Sequence, residues 1–194
     1  MNQTQPLSTA RHTKARYVAC VGMLSAVCYG VTLACQIIPP VEGYLSFDLK
    51  DAVAVMGALI FGPLAGLFLS LIPSLLEFIT YSGTGPVGLL MNVLSTAAFV
   101  LPAALVYRRK KTRSTAFWGL VLGTLIMTVL MLLWNYLVTP GYMKVPRPVV
   151  ADMLLPVFLP FNLAKGSINT LLTLLLYKPL VRALRRTGFA PEHR

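Results

Sequence analysis

Four apolar runs, at 17–38, 87–107, 117–138 and 154–177, each hold roughly the ~20 residues that a helix needs to cross ~30 Å of hydrocarbon. A fifth run, 52–80, is too long for one ordinary span and short for two. Within it, "FGPLAG" sets Gly62 beside Pro63, a pairing suited to a tight turn. Division there predicts a second helix from about Tyr44 to Phe61 and a third from Pro63 to Thr80. The chain then reads as an all-α membrane protein of six transmembrane helices.

Charge sets the direction of those helices. Lys and Arg gather at Arg11, Lys14 and Arg16, at "RRKKTR" (108–113), and at Lys178, Arg182, Arg185, Arg186 and Arg194, which is 13 of the 17 cationic residues. Cytoplasmic flanks carry the excess of Lys and Arg, so all three clusters belong in the cytoplasm. An even number of crossings must separate Arg16 from Arg108, and the break at Gly62 supplies it. Both termini are therefore expected in the cytoplasm, with a basic tail at 1–16, a membrane domain at 17–178 and a second basic tail at 179–194. The acidic residues fit this arrangement independently: Glu42, Asp48, Asp51, Glu77 and Asp152 fall at outer helix ends or in outer loops, and only Glu192 is cytoplasmic.

Composition excludes a soluble domain: 56% of residues are hydrophobic, 12% are charged, and mean hydropathy is +0.72. The formal charge of +11 does not make the chain a nucleic-acid binder, because the cations are juxtamembrane clusters with neither a folded basic domain nor an RNA-binding motif. Attraction to anionic headgroups accounts for them. Cys20, Cys28 and Cys35 all lie in the first helix and read as small buried hydrophobes; no metal site follows from them. No cleavable signal is expected, since the first 16 residues are polar and basic and the following run is long enough to span. There is no G-x-x-x-x-G-K-[ST], H-E-x-x-H or G-x-S-x-G motif, and both histidines, His12 and His193, lie in the tails. The sequence points to binding, with no enzyme chemistry and no cofactor.

The informative residues are the polar ones inside apolar runs. In "LPFNLAKGSINT" (159–170), Asn162, Lys165 and Asn169 stand at i, i+3 and i+7 and share one helix face. A lysine at that depth requires a partner, a wet cavity or a ligand. Asn135 and Tyr136 lie near the outer end of the fifth helix, Asn92 lies in the fourth, and Glu77, Tyr81 and Trp134 add polar and aromatic groups to the outer half. Such groups converging among apolar walls suit a small-molecule pocket. Hydrogen bonding between helices is the other reading, with Lys165 held by Glu77 or Asp152. It is preferred for Asn92 and Asn169, while the residues alone leave both readings open for Asn135, Asn162 and Lys165.

The stretches "LPFNLAKG", "LLWNYLVTPGY", "GLLMNVLSTAAFVLPAALVYRRKKT", "FGPLAG" and "LSFDLKD" resemble the riboflavin-specific substrate-binding (S) components of energy-coupling factor (ECF) vitamin transporters, the RibU family. The resemblance runs from about Tyr17 to Lys178. It implies an ECF S-component-like six-helix bundle in the bacterial cytoplasmic membrane that captures vitamin from outside under a first external loop. The family's flavin-contacting Asn of helix five and Asn and Lys of helix six fall on Asn135, Asn162 and Lys165. Lysine supplies donors and asparagine supplies both donors and acceptors, which suits the polar edge of a flavin. Trp134, Tyr136, Phe158 and Phe161 are candidates to cover the ring faces, although core packing is the preferred reading for any single one. Loop residues 41–47, including Tyr44 and Leu45 and with Gly43 as a flexible point, form the candidate lid.

The same resemblance implies partners: a scaffold membrane subunit and two cytoplasmic ATPases to supply the energy that this chain has no nucleotide site to obtain. The family docks through an A-x-x-x-A pattern on helix one. Here Gly22, Ala26 and Gly30 stand in its place, followed by Ala34, and small residues four apart still permit close helix approach. Internal packing of helix one is the other reading. Two further departures bear on the ligand. "LIPSLLEF" carries Pro73 and Glu77 where relatives tend to have a basic residue and then a histidine, and "TPGYMKVPRPVVAD" is a short outer loop. A sister subunit for another vitamin, such as thiamine or a queuosine precursor, is the second reading. A stand-alone carrier or channel is the third; it predicts inverted-repeat symmetry and an ionisable relay, neither of which is evident.

Overall fold

The computed structural model describes residues 6–41, 43, 45–81 and 83–186, with side chains from 14 onward except at 185. Tyr44 lies outside the described residues, so its expected place in the lid has no structural counterpart here. The chain forms α1 (Pro6–Cys35), α2 (Lys50–Phe61), α3 (Pro63–Thr80), α4 (Gly85–Arg109), α5 (Arg113–Met143), α6 (Arg147–Met153) and α7 (Leu159–Arg186). A π-helical turn, Leu154–Phe158, joins α6 to α7, and the two helices form one long apolar segment. Among the described residues the chain thus makes six helical segments, α6 and α7 counted as one, of which five are long and apolar enough to cross a membrane. Among the described residues the extended pairing is limited to one bridge, Val41 with Leu45.

The break expected within 52–80 is real. Gly62 adopts φ +98°, a left-handed conformation that glycine enters without steric cost, and Pro63 opens α3 at the position where its missing N–H is harmless. The second helix, however, begins at Lys50 and not near Tyr44. Its 12 residues span on the order of 18 Å, too short to cross hydrocarbon alone. This helix is central instead: 10 of its 12 residues are buried, and it packs on α1, α3, α4 and α7. A helix covered by protein on all sides can begin inside the membrane only if its free N–H groups find partners there.

Two ends follow from the path of the chain. At one end lie Arg16, the Gly62 turn, the Arg108–Arg113 region and Arg182, held together by an edge contact of Tyr17 on Phe61 (6.1 Å between ring centroids) and a Tyr107–Tyr177 hydroxyl pair at 3.1 Å. At the other end lie the connections 36–49, 81–84 and 144–146, where the Tyr29 hydroxyl donates to Thr80 at 3.0 Å. The main core runs between them through Leu24, Val55, Leu69, Phe99, Leu120 and Met127. The tightest packing joins α4 to α5. Gly119 and Gly123 lie against the backbone of Ala103 and Phe99, and a Cβ on Gly119 would stand 3.0 Å from the Ala103 carbonyl oxygen. Small residues permit that approach, which membrane helices use in place of a hydrophobic driving force.

The expected loop after α5 is mostly helical. α5 runs to Met143, Lys144 turns the chain with φ 55°, and α6 starts at Arg147. Pro156 and Pro160 cannot donate i→i−4 bonds, and the π turn over 154–158 absorbs that irregularity one turn before Asn162.

Candidate ligand cavity

The buried start of α2 organises the site. Asp48 Oδ1 accepts from the Lys50 backbone N–H at 2.8 Å, and Asn169 Oδ1 on α7 accepts from Ala52 N–H at 2.8 Å. Two first-turn donors are thereby satisfied, and the Asp48 and Asp51 carboxylates sit where the helix dipole favours negative charge. Asn169 also donates to the Asp48 and Lys165 carbonyls at 3.1 and 2.9 Å. Its role is to join α7 to α2, as the packing reading expects.

Two ion pairs surround this helix start. Lys50, fully buried, pairs with Asp48 and reaches Glu77 of α3 at 3.6 Å. Lys165 Nζ lies 3.3 Å from Asp51 Oδ2, while Asp51 Oδ1 accepts from the Thr96 hydroxyl at 2.6 Å. The partner of Lys165 is therefore Asp51. Neither Glu77, which pairs with Lys50, nor Asp152, which is exposed, fills that role. Buried charges are tolerated only when paired, and Asp48, Lys50, Asp51, Glu77 and Lys165 supply partners for one another here, with the Lys165–Asp51 Oδ2 contact an ion pair without hydrogen-bond geometry.

Above these pairs, at the loop end, opens a cavity of about 360 Å³, inside the ~300–1,000 Å³ range of small-molecule sites. Asn135, Asn162 and Lys165 line one side of it, with Phe161, Met131 and Tyr142 adjoining. Glu77, Tyr81 and Asn92 line the other, and Asn92 Nδ2 donates to Glu77 Oε2 at 2.9 Å. The first connection covers it with Gly43, Leu45, Ser46 and Phe47. This covering segment is shaped rather than slack. Val41 and Leu45 exchange backbone hydrogen bonds of 3.0 and 2.9 Å across Gly43, whose φ is +77°, and Leu45 is buried against Val150 and Phe158. Phe47 adds an edge contact on Phe161, with centroids 6.2 Å apart.

Of the residues singled out in the sequence, Asn135, Asn162, Lys165, Phe161 and Leu45 meet at this cavity. Asn162 Nδ2 donates to the Phe158 carbonyl at 2.7 Å, and Asn135 Nδ2 donates to Met131 O at 2.7 Å while its Oδ1 accepts from Thr139. Each amide is thus aimed by its own helix. Trp134, Tyr136 and Phe158 are not among the lining residues. Residues adjacent to Asn135 point about 100° away around the helix, so Trp134 packs on the core and Tyr136 is exposed when Asn135 faces inward. Phe158 is fully buried under the covering loop with Leu45 and Val150. Sequence reasoning missed Asp48, Lys50 and Asp51 as site residues. The signal was present in "LSFDLKD", three charges immediately before an unbroken apolar run.

A helical bundle of membrane character with a polar cavity at its loop end has the features of a small-molecule binding protein. Residues 16–177 match the family model for the ECF transporter, substrate-specific component, and the chain belongs to that family. It is 32% identical over 174 residues to the riboflavin transporter RibU of Staphylococcus aureus, covering 86% of this chain and 90% of that protein. It is 31% identical over 184 residues to the riboflavin transporter FmnP of Bacillus subtilis, covering 89% and 97%. A solved S component of a bacterial ECF transporter superposes with a TM-score of 0.75 at 29% identity, over 88% of this chain and 98% of that one. ThiT from Listeria monocytogenes, at 16% identity and a TM-score of 0.52 over 89% of this chain and 98% of that one, shares the fold alone. The protein is a multi-pass cell-membrane transport protein and not an enzyme.

Proposed function

We infer that this chain is the substrate-capture subunit of an ATP-driven ECF importer, binding riboflavin or a close flavin from outside. The observation that carries the reading is the convergence of Asn135, Asn162 and Lys165 on one side of the loop-end cavity, in a relative of riboflavin transporters. The basic end is cytoplasmic by the positive-inside rule, so the cavity opens outward and both termini lie inside. A scaffold membrane subunit and two cytoplasmic ATPases supply the energy, and no cofactor of its own is involved. Trp134 and Tyr136, which α5 turns away from the cavity, have no part in the proposed site, and Phe158 supports the first connection from beneath through Leu45.

Orientation has a direct test. In a background without the native cysteines, a single cysteine at Lys110 is expected to resist an impermeant thiol reagent added outside, while one at Gly141 reacts. The opposite pattern inverts the topology.

Ligand identity is read from the purified protein, which is expected to carry flavin absorbance or to quench flavin fluorescence on titration. Asn162→Ala is expected to remain folded and to weaken flavin binding by about 0.5–1.5 kcal/mol, the net contribution of one hydrogen bond. A colourless protein that ignores flavin and binds thiamine would move the chain to the sister-subunit reading.

A further inference from the structure

Thr96 uses its hydroxyl differently from most residues of its kind in this bundle. Inside an apolar helix a serine or threonine commonly returns its hydroxyl to a carbonyl one turn back, which satisfies the group without help from another element. Ser25, Ser74, Thr128 and Thr173 do so at 2.7–2.8 Å. Thr96, fully buried in α4, donates instead to Asp51 Oδ1 of α2 at 2.6 Å. That hydroxyl serves another helix.

Asp51 in turn serves a third. It is 1% exposed and, like Thr96, is not among the residues that line the cavity. Its Oδ2 accepts no hydrogen bond from the described residues and lies 3.3 Å from Nζ of Lys165, which is a lining residue. A carboxylate turns about its Cβ–Cγ bond over a broad range, so a short hydrogen bond on Oδ1 decides where Oδ2 lies and, through it, where the ammonium stands. Lysine carries that ammonium on a long flexible stem, which a fixed counter-charge holds in one arrangement. Ordering the group before the ligand arrives spares the ligand that entropic cost.

Resting on the flavin reading above, we propose that Thr96 and Asp51 are positioning residues: neither lines the cavity, and together they hold the Lys165 ammonium at the cavity wall where the ligand meets it. Riboflavin binding is read by fluorescence titration in detergent, with thermal unfolding of the empty protein alongside. Thr96→Val, which keeps the shape of the side chain and removes its hydroxyl, is expected to weaken riboflavin about threefold to tenfold, the scale of one net hydrogen bond. Thr96→Ser restores the donor and should bring affinity back to within about twofold of wild type. The decisive comparison is made in the Lys165→Met, Asp51→Asn background, which has no ammonium to position. There the same Thr96→Val change should alter affinity by less than about twofold, since residues that act through one group are not additive. If Thr96→Val does not fold, Thr96→Cys, with a weak donor on a side chain of similar size, supplies the same pair of measurements. Wild-type affinity in Thr96→Val overturns the positioning role and leaves the flavin reading standing. An equal loss in both backgrounds also overturns it, because the hydroxyl would then serve packing alone. A wild-type protein that binds no riboflavin overturns the flavin reading and this role together.

Discussion

Lys165→Ala is expected to destabilise the empty protein by about 3–5 kcal/mol, the cost of stranding one member of a buried ion pair. The carboxylate left behind is Asp51, whose side chain is 1% exposed and whose remaining hydrogen bond comes from Thr96. This figure exceeds the ~1.5–3 kcal/mol that a hydrogen bond to a charged group would contribute to ligand binding. Stability should therefore fall before affinity can be read, and thermal unfolding in detergent without flavin is the measurement. A second variant separates the two roles. Lys165→Met combined with Asp51→Asn removes both charges, and replacing a buried pair by neutral groups of similar volume is often close to neutral. The double variant should recover most of the lost stability and still bind flavin more weakly than wild type. Wild-type unfolding in Lys165→Ala would show that the pair contributes nothing to the fold. Wild-type flavin affinity in the folded double variant would remove Lys165 from the ligand.

That pair also marks where the sequence stops being legible. Run lengths and the Gly62–Pro63 pairing suffice to divide the chain into its helical segments, because each is a local signal of helix length or turn chemistry. The i, i+3, i+7 spacing of Asn162, Lys165 and Asn169 places them on one face, and two of the three line the cavity while Asn169 joins α7 to α2. What spacing within one helix cannot say is which residue of another helix stands opposite. Asp51 looks like a residue of an outer helix end because 52–80 is so apolar, yet α2 is short and central, and that depth buries Lys50 and Asp51. The aromatic neighbours Trp134 and Tyr136 failed to reach the cavity for a rotational reason, since a helix gives one face to a site and adjacent residues turn away. Glu77 and Asp152 were the carboxylates with the right depth for Lys165. The choice of Asp51 depends on α2 and α7 packing side by side, a long-range contact with no local sign.

The largest effect on transport is expected on the opposite surface of α1, where binding and uptake should come apart. Cys20, Val21, Leu24, Ser25 and Cys28 turn inward and are buried, which leaves Gly22, Ala26 and Gly30 exposed on the outer face. A Cβ built at Gly22 or Gly30 meets nothing within 4 Å, so no internal neighbour requires a small residue there. Packing within this chain therefore gives no account of that stripe, whereas close approach of a second membrane helix does. Gly22→Leu and Ala26→Leu are expected to leave unfolding temperature and flavin affinity at wild-type values. In proteoliposomes holding the scaffold subunit and both ATPases, the same variants should lose about tenfold or more of ATP-dependent uptake, because a leucine holds apart two helices that small residues would let touch. Val129→Leu, on the exposed face of α5, supplies the control and should transport normally. A joint fall in stability and flavin binding would assign the stripe to the bundle itself. Undiminished uptake in Ala26→Leu would remove α1 from the docking surface.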